Sequence, residues 1–353
     1  MKRNHSLFFF LSLLFISIFL VACGDGEQET QGQEPGTTSN DADGKKSANL
    51  KKITIAEPVH LIGYLPLYIA VQEGYFEEAG LDVEIITATG GGHVTSLVSG
   101  EVWANIGGPE SNEMANGGSP DPIVSVVNVV NKANVYLMAE KGTSPADDSD
   151  EALAEFLKGK TLAAGRYGGS PNLLTRWMLL ELGLDPDEDV SLEEPADAAA
   201  TLALVDNGVA NIANGAEPQI IEGVNSDVWE EPFFAFPSIG DYPYSVLSVR
   251  KSSIEEEPEV VEAFVHAVIR GLEVVYKDKE LAESVLRKEF PTLSDEAVVA
   301  SLERAYEDEH WSLDGYISEE SLALTMEVVS KTGIHTDPYS YDELIDMQFV
   351  ESY

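Results

Sequence analysis

The sequence is nearly devoid of cysteine and poor in positive charge. Its 353 residues hold one cysteine, Cys23, which excludes disulfides and cysteine-built zinc or iron–sulfur centres. Lysine and arginine total 21 against 62 acids, for a net charge of -41. Such a surface repels nucleic acid and anionic headgroups. Past residue 23, no apolar run reaches the roughly 18–20 residues needed to span a bilayer. Apart from His5, the histidines are scattered at His60, His93, His266, His310 and His335, without metal-ligand spacing. There is no nucleophile elbow, Walker A loop, His-Glu-x-x-His pair or dinucleotide fingerprint. The expectation is a protein that is not an enzyme and uses no cofactor, no metal and no nucleic-acid partner. The apolar fraction of 44% is ample for a core.

What is present begins with a leader. Lys2 and Arg3 precede a stretch, residues 7–21, interrupted only by Ser12 and Ser17. A charged start followed by such a run reads as a signal peptide, residues 1–22. It ends in Leu20-Val21-Ala22-Cys23-Gly24, which resembles the lipobox of bacterial lipoproteins. That resemblance implies cleavage after Ala22 and a lipid anchor on Cys23, with more than one acyl chain giving stable attachment. Residues 23–50 are rich in Gly, Gln, Glu, Thr, Ser and Asp. They bury too little apolar surface to offset ordering entropy and read as a disordered tether.

The body alternates strand and helix. Residues 52–57, 81–86, 103–106, 123–130 and 135–139 read as strands, with helical patterns after Pro66 and at 93–99. A second run follows the polar stretch 142–150, with strands near 161–164, 190–192, 212–214 and 233–236 and a return strand at 245–250. Helices are expected at 258–277, 280–289, 294–306 and 318–331, with Ser294 and Ser318 as N-caps. The expected fold class is α/β, with lobe 1 at 51–140, lobe 2 at 141–243, and 244–353 returning to lobe 1 with C-terminal helices. Two crossings between lobes make a hinge around a cleft.

Within this frame, Gly74-Tyr75-Phe76-Glu77-Glu78-Ala79-Gly80-Leu81-Asp82-Val83-Glu84 is the most telling string. With Pro66-Leu67-Tyr68-Ile69-Ala70, Ser99-Gly100-Glu101, Leu157-Lys158-Gly159-Lys160-Thr161, Gly183-Leu184-Asp185-Pro186 and Glu256-Glu257-Pro258-Glu259-Val260-Val261-Glu262-Ala263-Phe264, it resembles a known family over residues 51–335. These are the solute-binding proteins of bacterial ABC importers in the nitrate/sulfonate/taurine and thiamine-pyrimidine class. The resemblance implies a two-lobed type II periplasmic-binding fold and a monomer on the outer face of the membrane. It also implies that a small molecule is captured between the lobes and passed to an ABC permease. Some relatives that bind thiamine pyrimidines carry a tryptophan in the first loop; Glu57-Pro58-Val59-His60 has none. Enzymatic cousins that make the pyrimidine rely on a cysteine-rich segment that is missing here. A ligand sensor that signals to a membrane partner and a surface hydrolase are the alternatives.

In open α/β sheets, ligands sit beyond the carboxyl ends of strands. That rule selects His60 and Tyr64 in the first loop, and Gly91, Gly92 and His93 at a helix start. In the second run it selects Arg166 with Gly169 and Ser170. Glycines let amides approach a ligand, and helix N-termini favour anions. Arg166 suits a carboxylate or sulfonate. Glu110, Asn131, Asn214, Glu217 and Tyr242 lie at further strand ends or the crossover. Glycine-rich helix starts with an arginine favour an anion, glutamates favour a ligand with amino groups, and a zwitterion uses both.

Overall fold

The computed structural model describes residues 50–335 and 339–353. The signal peptide, the lipidated Cys23 and the tether inferred from the sequence lie outside the described residues.

The first sheet contains β1 (Lys51–Glu57), β2 (Leu81–Thr87), β3 (Ala104–Gly107), β4 (Ile123–Val130) and, from the far side of the second lobe, β10 (Ser245–Arg250). Its order is β2-β1-β3-β10-β4. The second sheet contains β5 (Tyr136–Ala139), β6 (Thr161–Ala163), β7 (Ser191–Glu193), β8 (Ile212–Gly215) and β9 (Phe234–Ala235), ordered β7-β6-β8-β5-β9. The two sheets share one plan. In each, three parallel strands adjoin a strand that runs antiparallel, and that strand is delivered by the crossover from the other lobe.

The expected lobe boundary at 140/141 therefore moves. Strand β5 pairs with β8 and β9, so the chain has already crossed between Val130 and Tyr136. Its apolar character, after Val135, marked it as a strand, but strand propensity carries no information about which sheet it joins. The two crossing segments run side by side: the amides of Tyr242 and Tyr244 donate to the carbonyls of Asn131 and Val130, each at 2.9 Å.

Strand β4 reads Ile-Val-Ser-Val-Val-Asn-Val-Val and is buried at every position, as expected for a strand covered on both faces. Of its two polar residues, Asn128 donates to Asn131 Oδ1 at 2.7 Å and keeps an unpartnered Oδ1 among the described residues, while Ser125 is satisfied across the sheet. Asn112 Nδ2 donates to Ser248 Oγ at 2.8 Å, and Ser248 Oγ donates to Ser125 Oγ at 3.0 Å. On one side the helix Leu65–Gln72 packs against the long helix Pro258–Lys277.

Beyond that helix run Lys279–Glu289, Asp295–Glu307 and Glu319–Lys331. Ser294 and Ser318 do cap the last two, accepting from the amides of Ala297 at 3.2 Å and Ser321 at 3.1 Å. This C-terminal part is not confined to lobe 1. Helix Asp295–Glu307 reaches lobe 2 through Arg304, and helix Glu319–Lys331 lies along Ser170–Glu181, with Lys331 paired to Glu181.

Candidate functional site

The loops that follow the parallel strands of both sheets face one another and enclose a cavity of about 140 Å³. Pro58, Val59 and Leu61 follow β1; Gly90, Gly91 and His93 follow β2; Gly107 ends β3, and Gly108 and Ser111 follow it. The second lobe contributes Gly165, Arg166, Gly169 and Ser170 after β6, Thr201 after β7, and Asn214 and Gln219 at β8. Tyr64, Tyr244, Ser245 and Asn134 complete the wall near the crossover.

Arg166 is the cation of this cavity. Its side chain donates to the Tyr167 carbonyl at 3.2 Å and makes no ion pair among the described residues. In a chain with 62 acids, an unpaired arginine in a cleft leaves a positive charge available to a ligand. The guanidinium lies against Gly91 of lobe 1 and Gly169 of its own lobe, so it spans the gap.

Burial shifts the other titratable groups of the site towards their neutral forms. His93 is 4% exposed, and its Nδ1 has no hydrogen-bond partner among the described residues. Burial, reinforced by Arg166, lowers its pKa to about 4. Glu110 is fully buried, and burial raises its pKa. The Ser170 hydroxyl, the amide of its own helix start and the Arg166 charge oppose that shift without cancelling it. Ser170 Oγ donates to Glu110 Oε1, a bond from lobe 2 to lobe 1. The Glu110 carboxyl occupies the space that a Cβ on residue 108 would fill, so any larger residue there would displace it. Tyr64, buried beside Ser245, has its phenol pushed up by burial.

Not every expected residue faces the cavity. His60 turns to the back of its loop, where Nδ1 lies 3.0 Å from Glu57 Oε1 and 2.9 Å from the Tyr68 hydroxyl, with the ring over Phe290 at 4.6 Å. The buried Glu57 carboxylate draws it there, so Val59 and Leu61 line the cavity instead. Glu217 accepts from Arg304 Nε at 2.9 Å and from the Ile221 amide at 3.1 Å, outside the cavity. Asn131 accepts from Asn128 Nδ2 at 2.7 Å in the crossover, and Tyr242 is fully buried beneath it. Gly92 opens the helix Gly92–Ser99 but does not line the wall. Asn214 does line it, yet its Nδ2 is spent on the Ala164 carbonyl at 2.6 Å and Thr175 Oγ1 at 3.0 Å, which fixes the loop carrying Arg166. Ser111, Thr201, Gln219 and Ser245 were missed. Ser111, Thr201 and Gln219 follow strands whose carboxyl ends the rule points to, had those ends been known to the residue; Ser245 begins β10, at an amino end the rule does not select.

A family model described as NMT1/THI5 like matches residues 62–282. The chain belongs to this family. Its NMT1/THI5-like sequence is 25% identical over 311 residues to the binding protein YtlA of Bacillus subtilis, covering 87% of this chain and 91% of that one. It is 27% identical over 329 residues to the formylaminopyrimidine-binding protein of Halalkalibacterium halodurans, covering 90% and 84%. The fold is that of the alkanesulfonate-binding protein SsuA from Xanthomonas axonopodis pv. citri, solved with MOPS bound, at a TM-score of 0.68 and 14% identity over 85% of this chain and all of that one. Homologues of this NMT1/THI5-like chain are solute-binding proteins of ABC importers. Among the described residues, no helix is long and apolar enough to cross a membrane, and no group of three or more His, Cys, Asp or Glu is placed to hold a metal ion.

Proposed function

We propose that this chain is the extracytoplasmic solute-binding lipoprotein of an ABC importer. It captures a small organic anion or zwitterion, sulfonate- or taurine-like, and delivers it to the permease. The carrying observation is the unpaired Arg166, set between glycine loops of two lobes in a cavity where burial shifts the other titratable groups towards their neutral forms. The cavity is small beside the roughly 300–1,000 Å³ of sites for larger ligands, which suits a compact solute. An aminopyrimidine is second; it calls for a free carboxylate, whereas Glu110 is engaged by Ser170.

The site reads as a binder rather than a catalyst. Ser170, the cavity hydroxyl next to a carboxyl, bonds to Glu110, and the unpartnered His93 Nδ1 engages no serine. Membrane attachment rests on Cys23 and its lipobox-like context. A thermal-shift screen of sulfonates, taurine, nitrate, small carboxylates and pyrimidines tests the proposal, because a ligand that binds only the folded state raises Tm. A stabilising anion supports it; a broad library in which nothing stabilises the protein would overturn it.

A further inference from the structure

The bond between Ser170 and Glu110 joins the two halves of the cleft directly. Glu110 is the second residue of the lobe 1 helix Pro109–Asn116, and Ser170 is the first of the lobe 2 helix Ser170–Glu181. Both helices start at the cavity, beside Gly108 and Gly169. Separating the lobes breaks this contact and wets the carboxyl. Bringing them together removes it from water completely, with Oε2 left without a hydrogen-bond partner among the described residues.

We infer that Glu110 is a proton-linked positioning residue, closing against Ser170 as the neutral acid so that the closed cleft keeps the charge of Arg166 uncompensated. This deepens the proposal above, since it assumes the same cleft is the binding site. The groups that face Glu110 are Ser170 and Arg166 from lobe 2, and Tyr242 and Tyr244 from the returning crossover. Both phenols are buried and pushed up, so neither supplies a charge near neutral pH. Ser170, the amide of the helix start and Arg166 all favour the carboxylate, and burial outweighs the three together. The sign follows from linkage. The closed form holds the proton more tightly than the open, wetted form, so raising the pH through the closed-state pKa of Glu110 favours opening. Closure at lower pH leaves one net positive charge beside the cavity, which an anion neutralises; the ionised carboxylate would compete with that anion for Arg166.

The test needs no ligand. Nitroxide labels on Glu101→Cys and Asn207→Cys, both exposed and on opposite lobes, report lobe separation by pulsed electron–electron resonance in the full chain carrying Cys23→Ser. In this background with Glu110 intact, the closed population is expected to fall as pH rises from about 5 to about 9, by up to about tenfold per pH unit while the carboxyl titrates. Glu110→Gln, neutral at every pH and still able to accept from Ser170, is expected to stay closed throughout. Glu110→Ala should be more open than Glu110→Gln at low pH. A closed population with Glu110 intact that ignores pH, or a Glu110→Gln curve that follows it, overturns the inference. Failure of every anion to raise Tm would overturn the proposed function and leave these curves unaltered.

Discussion

Arg304 Nε donates to Glu217 Oε1 at 2.9 Å, while its NH2 group donates to Glu231 at 2.6 Å. One arginine on the C-terminal helix thus holds two carboxylates of lobe 2. Glu217 is 6% exposed, and burial raises its pKa against the pull of Arg304. Arg304→Ala leaves that carboxyl buried without its cation. The expected cost is about 1.5–3 kcal/mol in urea unfolding. Arg304→Lys, lacking the planar fork, should recover only part of it. Unaltered stability in Arg304→Ala would show that the contact contributes nothing to the join.

Arg166 makes no ion pair within the protein, so its removal should weaken binding more than folding. For whichever anion the thermal screen identifies, Arg166→Ala is expected to lose about 1.5–3 kcal/mol of affinity by calorimetry, roughly 10- to 150-fold. Ligand-free Tm should hold or rise, because a half-buried unpaired charge is removed. An unaltered Kd would take Arg166 out of the site.

His310 is buried with neither ring nitrogen hydrogen-bonded among the described residues, and burial drives its pKa down to about 3. His93 is lowered to about 4. In the unfolded chain both titrate near 6.5, so on acidification the unfolded state takes up protons first. Their contribution is intact above about pH 6.5 and is lost progressively as pH falls towards the folded values, by at most about 1.4 kcal/mol per pH unit for each group. Tm should fall on acidification below that point. His310→Leu should flatten the fall, and a variant curve parallel to wild type would show that His310 is not the acid-sensitive group.

Gly271 sits where the helix Pro258–Lys277 crosses Leu65–Gln72, and a Cβ there would overlap the Pro66 carbonyl. Backbone cannot yield as a flexible side chain does. Gly271→Ala should therefore destabilise by about 1–3 kcal/mol, despite the better helix propensity of alanine. A gain in Tm would mean that the two helices are free to move apart.

Cys23→Ala should release the mature protein from membranes into the soluble fraction without lowering ligand affinity, since the cavity lies entirely in the described body. Retention of the variant in the membrane fraction would remove the lipid-anchor proposal.

The sequence by itself determined the alternation of strand and helix, the caps at Ser294 and Ser318, and the loops that bring Gly91, Arg166, Gly169 and Ser170 to one cavity. These follow from local periodicity, capping chemistry and glycine usage, which act over a few residues and are written in order along the chain. Tertiary structure alone decided that β5 belongs to the second sheet, that His60 turns back to Glu57 and Tyr68, and that Glu217 serves Arg304 rather than the cavity. It also decided that Glu110, one acid among 62, is the one buried against Ser170 from the opposite lobe. A side chain's direction and desolvation depend on partners tens to hundreds of residues away, and no local pattern encodes them.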